Sequence, residues 1–440
     1  MNEWRKITND KWILETICGY KVTLSCTPNQ PYSPRPFNFK IEEKNQIKME
    51  IQRFLNHGVI EKANDNTEGE YISNIFTRPK SDGRIRIILN LKQFNKQYVE
   101  KVHFKMETLQ SAISAMRHNC YFGSVDISDA YYTIPIDEND RRLFRFEFEG
   151  TKYQFTSLVM GYSKSPLVFT KILKPVFASL RSSGYISCVF VDDTCLQGNT
   201  YDECSENIRH TVEMLDRLGF TISLKKSVLV PSQTIVFLGF ILCSTDMTIR
   251  LTKEKCDSIV ELCNSLISRR RATVKELSRI IGKLVAASPG VTHAPLYIKP
   301  LERIKDKELK IHKGNFNGFF NVTPNVKILL QWWVDNIYSS YKIISTRDPD
   351  IIMYTDSSKR MWGAYDETNN KKTNGFWSST EQKEHINVLE LRACQVGLQS
   401  FYKDTVNVHI KVYMDNTTSV SYINKYVGRI ASLNAIARDI

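Results

Sequence analysis

Apolar residues recur along the chain at helical and strand spacings in turn, and the alternation between the two outlines the fold. Ile47, Ile51, Phe54 and Leu55 fall on one helical face that Gly58 closes. YISNIFTRPKSDGRIRIILNL then reads as two apolar strands around a turn at Ser81, Asp82 and Gly83. Between Tyr121 and Leu242 short strand-like runs alternate with helical ones. The clearest helix spans about Asn207–Leu218, with Ile208, Val212, Leu215 and Leu218 on one face and Gly219 as its stop. This mixed order predicts an α+β arrangement, a sheet with helices packed on it. From about Thr252 the strand signal disappears. Thr273 and Glu276 form a capping box that opens a helix burying Val274, Leu277, Ile281, Leu284 and Val285, closed by Ser288-Pro289-Gly290. From about Ile351 two strands, IIMYTD and VHIKVYMD, each end in an aspartate, with a helix, NVLELRACQVGLQSF, between them. Near the start, Pro28, Pro31, Pro34 and Pro36 mark an extended connector.

At 440 residues the chain has room for about three domains. Its 42% apolar and 24% charged residues are those of an ordinary folded protein. The longest apolar run, Ile235–Leu242, is far short of the roughly 18 residues of a membrane span. The polar start MNEWRKITND carries no secretory signal. Ten cysteines lie singly, with no metal-knuckle spacing, so reduced thiols in cytoplasm or nucleus are expected. Membrane protein, secreted disulfide scaffold and disordered tail are excluded as classes. The net charge of +13 favours an anionic partner. Within Arg250–Lys313 there are 15 basic and 7 acidic residues, which reads either as a solvated helical face or as a surface tracking a nucleic-acid backbone.

VFVDDTCLQG sets Asp192 and Asp193 side by side between strand-like runs Ser187–Val191 and Thr194–Gln197. Two adjacent like charges repel unless a cation neutralises them, although aspartates also suit plain turns. SVDISDAYYTIPI adds Asp126 at another strand end. Three carboxylates from two strand ends can hold two Mg²⁺ ions roughly 4 Å apart, as in-line phosphoryl displacement requires.

The succession RPKSDGRIRIILNLKQFN, SVDISDAYYTIPI, LVMGYSKSPLVF, FVDD, LGFTISLKKS and FLGF resembles the ordered motifs of retroelement reverse transcriptases, over roughly Ile60–Leu242. The resemblance implies a right-hand polymerase of α+β type that adds deoxynucleoside triphosphates to a DNA primer on an RNA or DNA template. It implies Asp126, Asp192, Asp193 and the carbonyl of Ile127 as ligands of two Mg²⁺ ions, with Mn²⁺ able to substitute. Lys80 and Arg86 match the residues that grip the triphosphate. Tyr131 matches a steric gate under the sugar, the bland alternative being a core tyrosine. Met160 and Gly161 match a loop at the nucleotide. Lys225, or its neighbour Lys226, matches a proton donor to pyrophosphate. Phe237, Leu238 and Gly239 match the primer grip, though Phe237 and Leu238 also suit plain core. Phe190 stands where many members have tyrosine.

MYTDSSKRMWGAY, HINVLELRA and VYMDNTTSVSYIN resemble the ribonuclease H module that follows many such polymerases, implying Asp356, Glu390 and Asp415 as metal-binding acids acting on an RNA/DNA hybrid. WRKITNDKWILETICGYKV and HINVLELRA make the DIRS group of retrotransposons the best match. The fourth acid of the ribonuclease pattern has only Asp439 as a candidate, so this α/β module is expected to be truncated, with poor hybrid cleavage and with the apolar faces of Val388–Leu398 and Val408–Met414 partly uncovered. The expected division is an N-terminal extension (1–40), fingers and palm (41–244), a basic helical thumb and connection (245–345), and the ribonuclease H-like domain (346–440). Two rivals share these features: an RNA-copying RNA polymerase, which Tyr131 opposes, and a decayed or domesticated element that binds nucleic acid without activity.

Overall fold

A computed structural model describes the chain except residues 31–33, 36, 65–67, 80–82, 345–347, 407, 427 and 429. The chain divides into two units, Met1–Leu238 and Gly239–Ile440.

The first unit is built on a four-stranded antiparallel sheet in the order Ile186–Phe190, Asp193–Gly198, Tyr121–Ser124, Val228–Ser232. Helix Ser165–Ser182 buries Val168, Phe169, Ile172, Leu173, Val176, Phe177 and Leu180, the three-and-four spacing of a core-facing stripe. Helix Tyr201–Arg217 packs on the sheet through Cys204, Ile208 and Leu215. It begins six residues before the expected start. Thr200 accepts a hydrogen bond from the amide of Glu203, while Glu203 accepts one from the amide of Asn199. That reciprocal cap was legible in the sequence and extends the helix past its apolar stripe.

Helix Ile41–Asn56 buries Ile47, Ile51 and Phe54, and Gly58 follows it with φ of 65°, as the apolar spacing predicts. The hairpin Ile75–Pro79 with Ile85–Leu89 also forms, pairing Arg78 with Arg86. Its expected turn residues Ser81 and Asp82, and the site candidate Lys80, lie outside the described residues. Ile60–Lys62, Thr151–Phe155 and Arg145–Phe148 make a three-stranded sheet beside it in sequence.

The second unit opens with an antiparallel ladder of Phe240–Cys243, Thr248–Leu251 and Lys342–Ile343. Four helices follow, Lys253–Ile267, Val274–Ala287, Ala294–Ile311 and Pro324–Asn336. Strands do not vanish after Thr252: Arg271–Thr273 pairs with Phe319–Asn321. A three-residue ladder is too short to display a two-residue period, so the pattern missed it. The capping box at Thr273 and Glu276 is present. Val285, expected inside, is 47% exposed, and Ile280 takes its place on the buried side.

The last block is a sheet in the order Lys371–Phe376, Met361–Asp366, Ile351–Ser357, Ile410–Tyr413. Only the last pair is parallel, joined through helix Ile386–Tyr402. The apolar face of that helix is not left bare: the helix Ala431–Asp439 lays Leu433, Ile436 and Ala437 against Val388 and Leu391. The expectation of an uncovered face therefore fails there, and persists only at the half-exposed strand Ile410–Tyr413. No described helix is long and apolar enough to cross a membrane.

Candidate active site

Asp192 occupies the two-residue turn that joins strands Ile186–Phe190 and Asp193–Gly198, where Phe190 pairs with Asp193. Its turn neighbour Val191 has φ of 58°. A β-branched residue in the left-handed region costs about 1–3 kcal/mol, a strain that must be held by what surrounds it. The restraint is visible on the incoming strand. Glu107 accepts a hydrogen bond from the amide of Val189 at 2.6 Å and pairs with Arg181 at 2.7 Å. Arg181 also donates to the hydroxyl and carbonyl of Ser187.

Asp126 leaves the neighbouring strand Tyr121–Ser124 and is tied to the same turn. Thr194 Oγ1 donates to the carbonyl of Val125 and accepts from its amide, and the amide of Ile127 donates to the carbonyl of Asp192. The amide of Asp126 donates to Ser227 Oγ. Burial raises the Asp126 carboxyl above its ordinary range; Lys226, with Nζ 3.6 Å from Oδ1, works against this and Asp192 adds to it. Asp193 is pushed up to about 6 by burial and then by the charges of Asp192 and Asp126. The three acids thus share one field.

A cavity of about 440 Å³ opens at this point, lined by Arg84, Arg86, Ile127, Asp129, Tyr131, Met160, Asp192, Ser223 and Lys226 among others. Tyr131 stands in the single turn Ala130–Thr133, with its ring edge-on to Phe169 at 5.8 Å. Burial and the charge of Asp192 lift its hydroxyl to about 12, so it stays neutral. Of the residues singled out in the sequence, Arg86, Ile127, Tyr131, Met160 and Asp192 line the cavity.

Others sit differently. Gly161 is not among the lining residues. Its φ is 109°, and a Cβ there would stand 2.2 Å from the carbonyl oxygen of Leu89, so glycine is required for the loop to cross that strand end. Lys225 is also absent from the lining, where Lys226 stands instead. Phe237 is buried, while Leu238 and Gly239 have φ of 51° and 73°. Sequence reasoning missed Arg84, Asp129 and Ser223. Arg84 could have been found, because it immediately precedes the strand Ile85–Leu89, two positions before Arg86, and is exposed like it.

In the second unit, Asp356, Glu390 and Asp415 bring carboxylate oxygens within 4.8 Å of one another. Glu390 is buried and pushed up to about 7, by burial first and then by Asp415 and Asp356. Asn416 caps the following helix and donates to Asn387 Oδ1 at 3.0 Å, tying the Asp415 loop to the helix that carries Glu390. Asp439 is exposed and lines a different pocket with Leu398 and Tyr402, near the far end of that helix.

Asp126 Oδ1 and Glu390 Oε2 are both buried without a hydrogen-bond partner among the described residues. Buried carboxylate oxygens ordinarily have partners. All-oxygen donor sets, with Glu390 Oε2 unpartnered among the described residues and Asp126 Oδ1 met by the Lys226 ammonium at 3.6 Å, fit a hard divalent cation.

Residues 78–242 match the family model described as reverse transcriptase (RNA-dependent DNA polymerase). The chain carries a reverse transcriptase domain. The putative enzymatic polyprotein of Cassava vein mosaic virus is 24% identical over 413 residues, which is 90% of this chain and 60% of that protein. The chain therefore spans less than two thirds of that relative. A solved foamy viral protease-reverse transcriptase in complex with double-stranded DNA aligns at a TM-score of 0.62 and 22% identity, covering 94% of this chain and 70% of the other. A foamy viral protease-reverse transcriptase in complex with an RNA/DNA hybrid aligns at 0.58 and 20%, covering 94% and 54%. At these identities the structural likeness is one of fold. The reverse transcriptase domain, as matched, holds Asp126, Asp192, Asp193 and the cavity-lining residues from Arg84 to Lys226.

Proposed function

We propose that the protein is an RNA-directed DNA polymerase that extends a primer with deoxynucleotides on an RNA or DNA template. The observation that carries this is Asp192 in the wall of a cavity lined by Arg84, Arg86, Tyr131 and Lys226, with Asp193 next to it in the chain and Asp126 held 3.6 Å from Lys226. The three acids and the Ile127 carbonyl would hold two Mg²⁺ ions. When bound, such ions activate the attacking 3′-hydroxyl and stabilise the leaving pyrophosphate.

The chain's own residues supply the rest. Arg84, Arg86 and Lys226 present cations to a triphosphate, and the Lys226 ammonium beside Asp126 is placed to give a proton to pyrophosphate, the role the sequence offered to either lysine. Tyr131 closes the floor of the cavity and excludes a 2′-hydroxyl by bulk. This disfavours the RNA polymerase reading, and the presence of all three acids, Asp126, Asp192 and Asp193, disfavours a decayed fragment.

We assign fingers and palm to 41–244, thumb and connection to 245–345, and a ribonuclease H-like module to 346–440. Exposed Lys275, Arg279 and Lys283 share one face of helix Val274–Ala287. Gly282 lies between them, and a Cβ built there would have nothing within 4 Å, so the helix backbone is bare. That face suits a nucleic-acid backbone, and solved relatives of this fold hold double-stranded DNA or an RNA/DNA hybrid. Asp356, Glu390 and Asp415 would gather a divalent ion for hydrolysis of the RNA strand. The N-terminal WRKITNDKWILETICGYKV and HINVLELRA motifs support an origin in a DIRS-type element.

The test is primer extension on an RNA template with Mg²⁺. The parent should incorporate deoxynucleotides, and Asp192→Asn should lose at least about a hundredfold in rate, since charge at the reacting phosphoryl group is the largest catalytic contribution. Extension by the variant at the parent's rate would remove Asp192 from the mechanism.

A further inference from the structure

The turn that carries Tyr131 is held by a side chain from a distant helix. Asp129 opens that turn in the left-handed region, with φ of 47°. Arg53, on helix Ile41–Asn56, donates from Nη1 to Asp129 Oδ2 at 2.9 Å. Its Nε and Nη2 donate to the two carboxylate oxygens of Glu50, at 3.0 and 2.8 Å. Glu50 is itself buried, with a side chain 5% exposed. The guanidinium plane is therefore fixed by a two-pronged contact before it meets Asp129, which limits the directions in which Asp129 can move.

The same helix grips the other side of Tyr131. Phe54 packs edge-on against the ring of Tyr132 at 5.1 Å. The amide of Tyr132 donates to the carbonyl of Asp129 at 2.8 Å. Tyr131 lies between two residues that Arg53 and Phe54 hold, and it makes one side of the cavity together with Asp129.

We infer that Arg53 is a positioning residue for sugar selection: it locks Asp129 in its strained turn and so holds the Tyr131 ring where a ribose hydroxyl would collide with it. The inference rests on the polymerase reading above. A gate selects only if it cannot recoil. A ring held to within a few tenths of an ångström rejects one extra oxygen, whereas a ring on a loosened turn yields to it.

The test compares single-nucleotide insertion of matched deoxy- and ribonucleotides by the full chain, for the parent, Arg53→Gln, Arg53→Lys, Asp129→Asn and Tyr131→Ala. Arg53→Gln should lower the deoxy-over-ribo ratio of kcat/KM by about tenfold, through a higher KM for deoxynucleotide and easier entry of ribonucleotide. Arg53→Lys should recover part of it, because an ammonium can reach one carboxylate but cannot bridge both. Asp129→Asn leaves the Arg53–Glu50 pair intact and should show the same direction of change, so the test survives if Arg53→Gln is poorly folded. A purely structural Arg53 would lower the melting temperature and kcat and leave the ratio alone; that result, with Tyr131→Ala collapsing the ratio, overturns the inference and spares the polymerase reading. A ratio unmoved by Tyr131→Ala also overturns the inference and leaves the polymerase reading standing, whereas a parent that does not extend a primer overturns both.

Discussion

At the scale of single residues, both acid groups spend stability to keep carboxylates together. Glu390 makes this measurable, because its carboxyl is buried, faces Asp415 and Asp356, and is pushed up to about 7 from an ordinary 4.5. Without a divalent ion, the folded state keeps this proton up to about pH 7, whereas the unfolded chain releases it near 4.5. Between those limits the folded state binds more protons, so its stability falls as pH rises through the window. Mg²⁺ binds the ionised form and should reverse the trend. In chelator, the parent should lose melting temperature relative to Glu390→Gln between pH 5 and 8. Addition of Mg²⁺ at pH 8 should restore the parent and leave the variant nearly unchanged. A parent and variant that run parallel across this range would show that Glu390 is ionised throughout and does not face its two neighbours as described.

At the scale of elements, legibility in the sequence depended on length and on how local each signal is. Helices Ile41–Asn56 and Val274–Ala287 were readable because an apolar stripe repeats over several turns and a cap or glycine marks an end. The pairing of Arg271–Thr273 with Phe319–Asn321 was not, since neither side is long enough to show a period. The acids at 192 and 193 announce themselves by adjacency, but the clamp from Arg53 to Asp129 spans 76 positions and leaves no local trace. Charge was legible in amount and not in direction. Of the three arginines at 269–271, Arg269 is paired with Glu276 at 2.7 Å and Arg271 lies over the Phe319 ring. All three arginines are exposed, and Lys275, Arg279 and Lys283, one helical turn apart in succession, add an exposed stripe on the helix that follows. Replacing the three residues of this stripe by glutamine should weaken primer–template binding and flatten the plot of log affinity against log salt by about two to three units, each lost phosphate contact removing slightly less than one. Deoxynucleotide KM should change little, because the stripe lies in the second unit and the triphosphate cations in the first. An unaltered salt slope would return the stripe to an ordinary solvated face.

At the scale of the whole molecule, each of the two units has its own acid centre, and the two differ in completeness. The first combines three coupled carboxylates with a cavity, several cations and a ring that shapes one wall. The second has three carboxylates whose oxygens converge, with an open groove beside them. Three acids suffice to gather one divalent ion, but clamping both the attacking and the leaving oxygen calls for a second ion with ligands of its own. Asp439 cannot supply them from its position, because it lies against Leu398 and Tyr402, turns away from Glu390 along the same helix. The module is nonetheless covered on that helix by Leu433, Ile436 and Ala437, so a weak activity should reflect an ion held by Asp356, Glu390 and Asp415 alone among the described residues and not a melted domain. This 440-residue chain should therefore extend primers well and cleave the RNA of a hybrid slowly. Asp356→Asn should abolish what cleavage remains, since it removes a third of the ion's carboxylates, and Asp439→Asn should leave it unchanged. Both variants should keep the parent's primer extension, which depends on the other acid centre. Brisk hybrid cleavage that disappears with Asp439→Asn would overturn this account and require the last helix to swing its end toward Asp356.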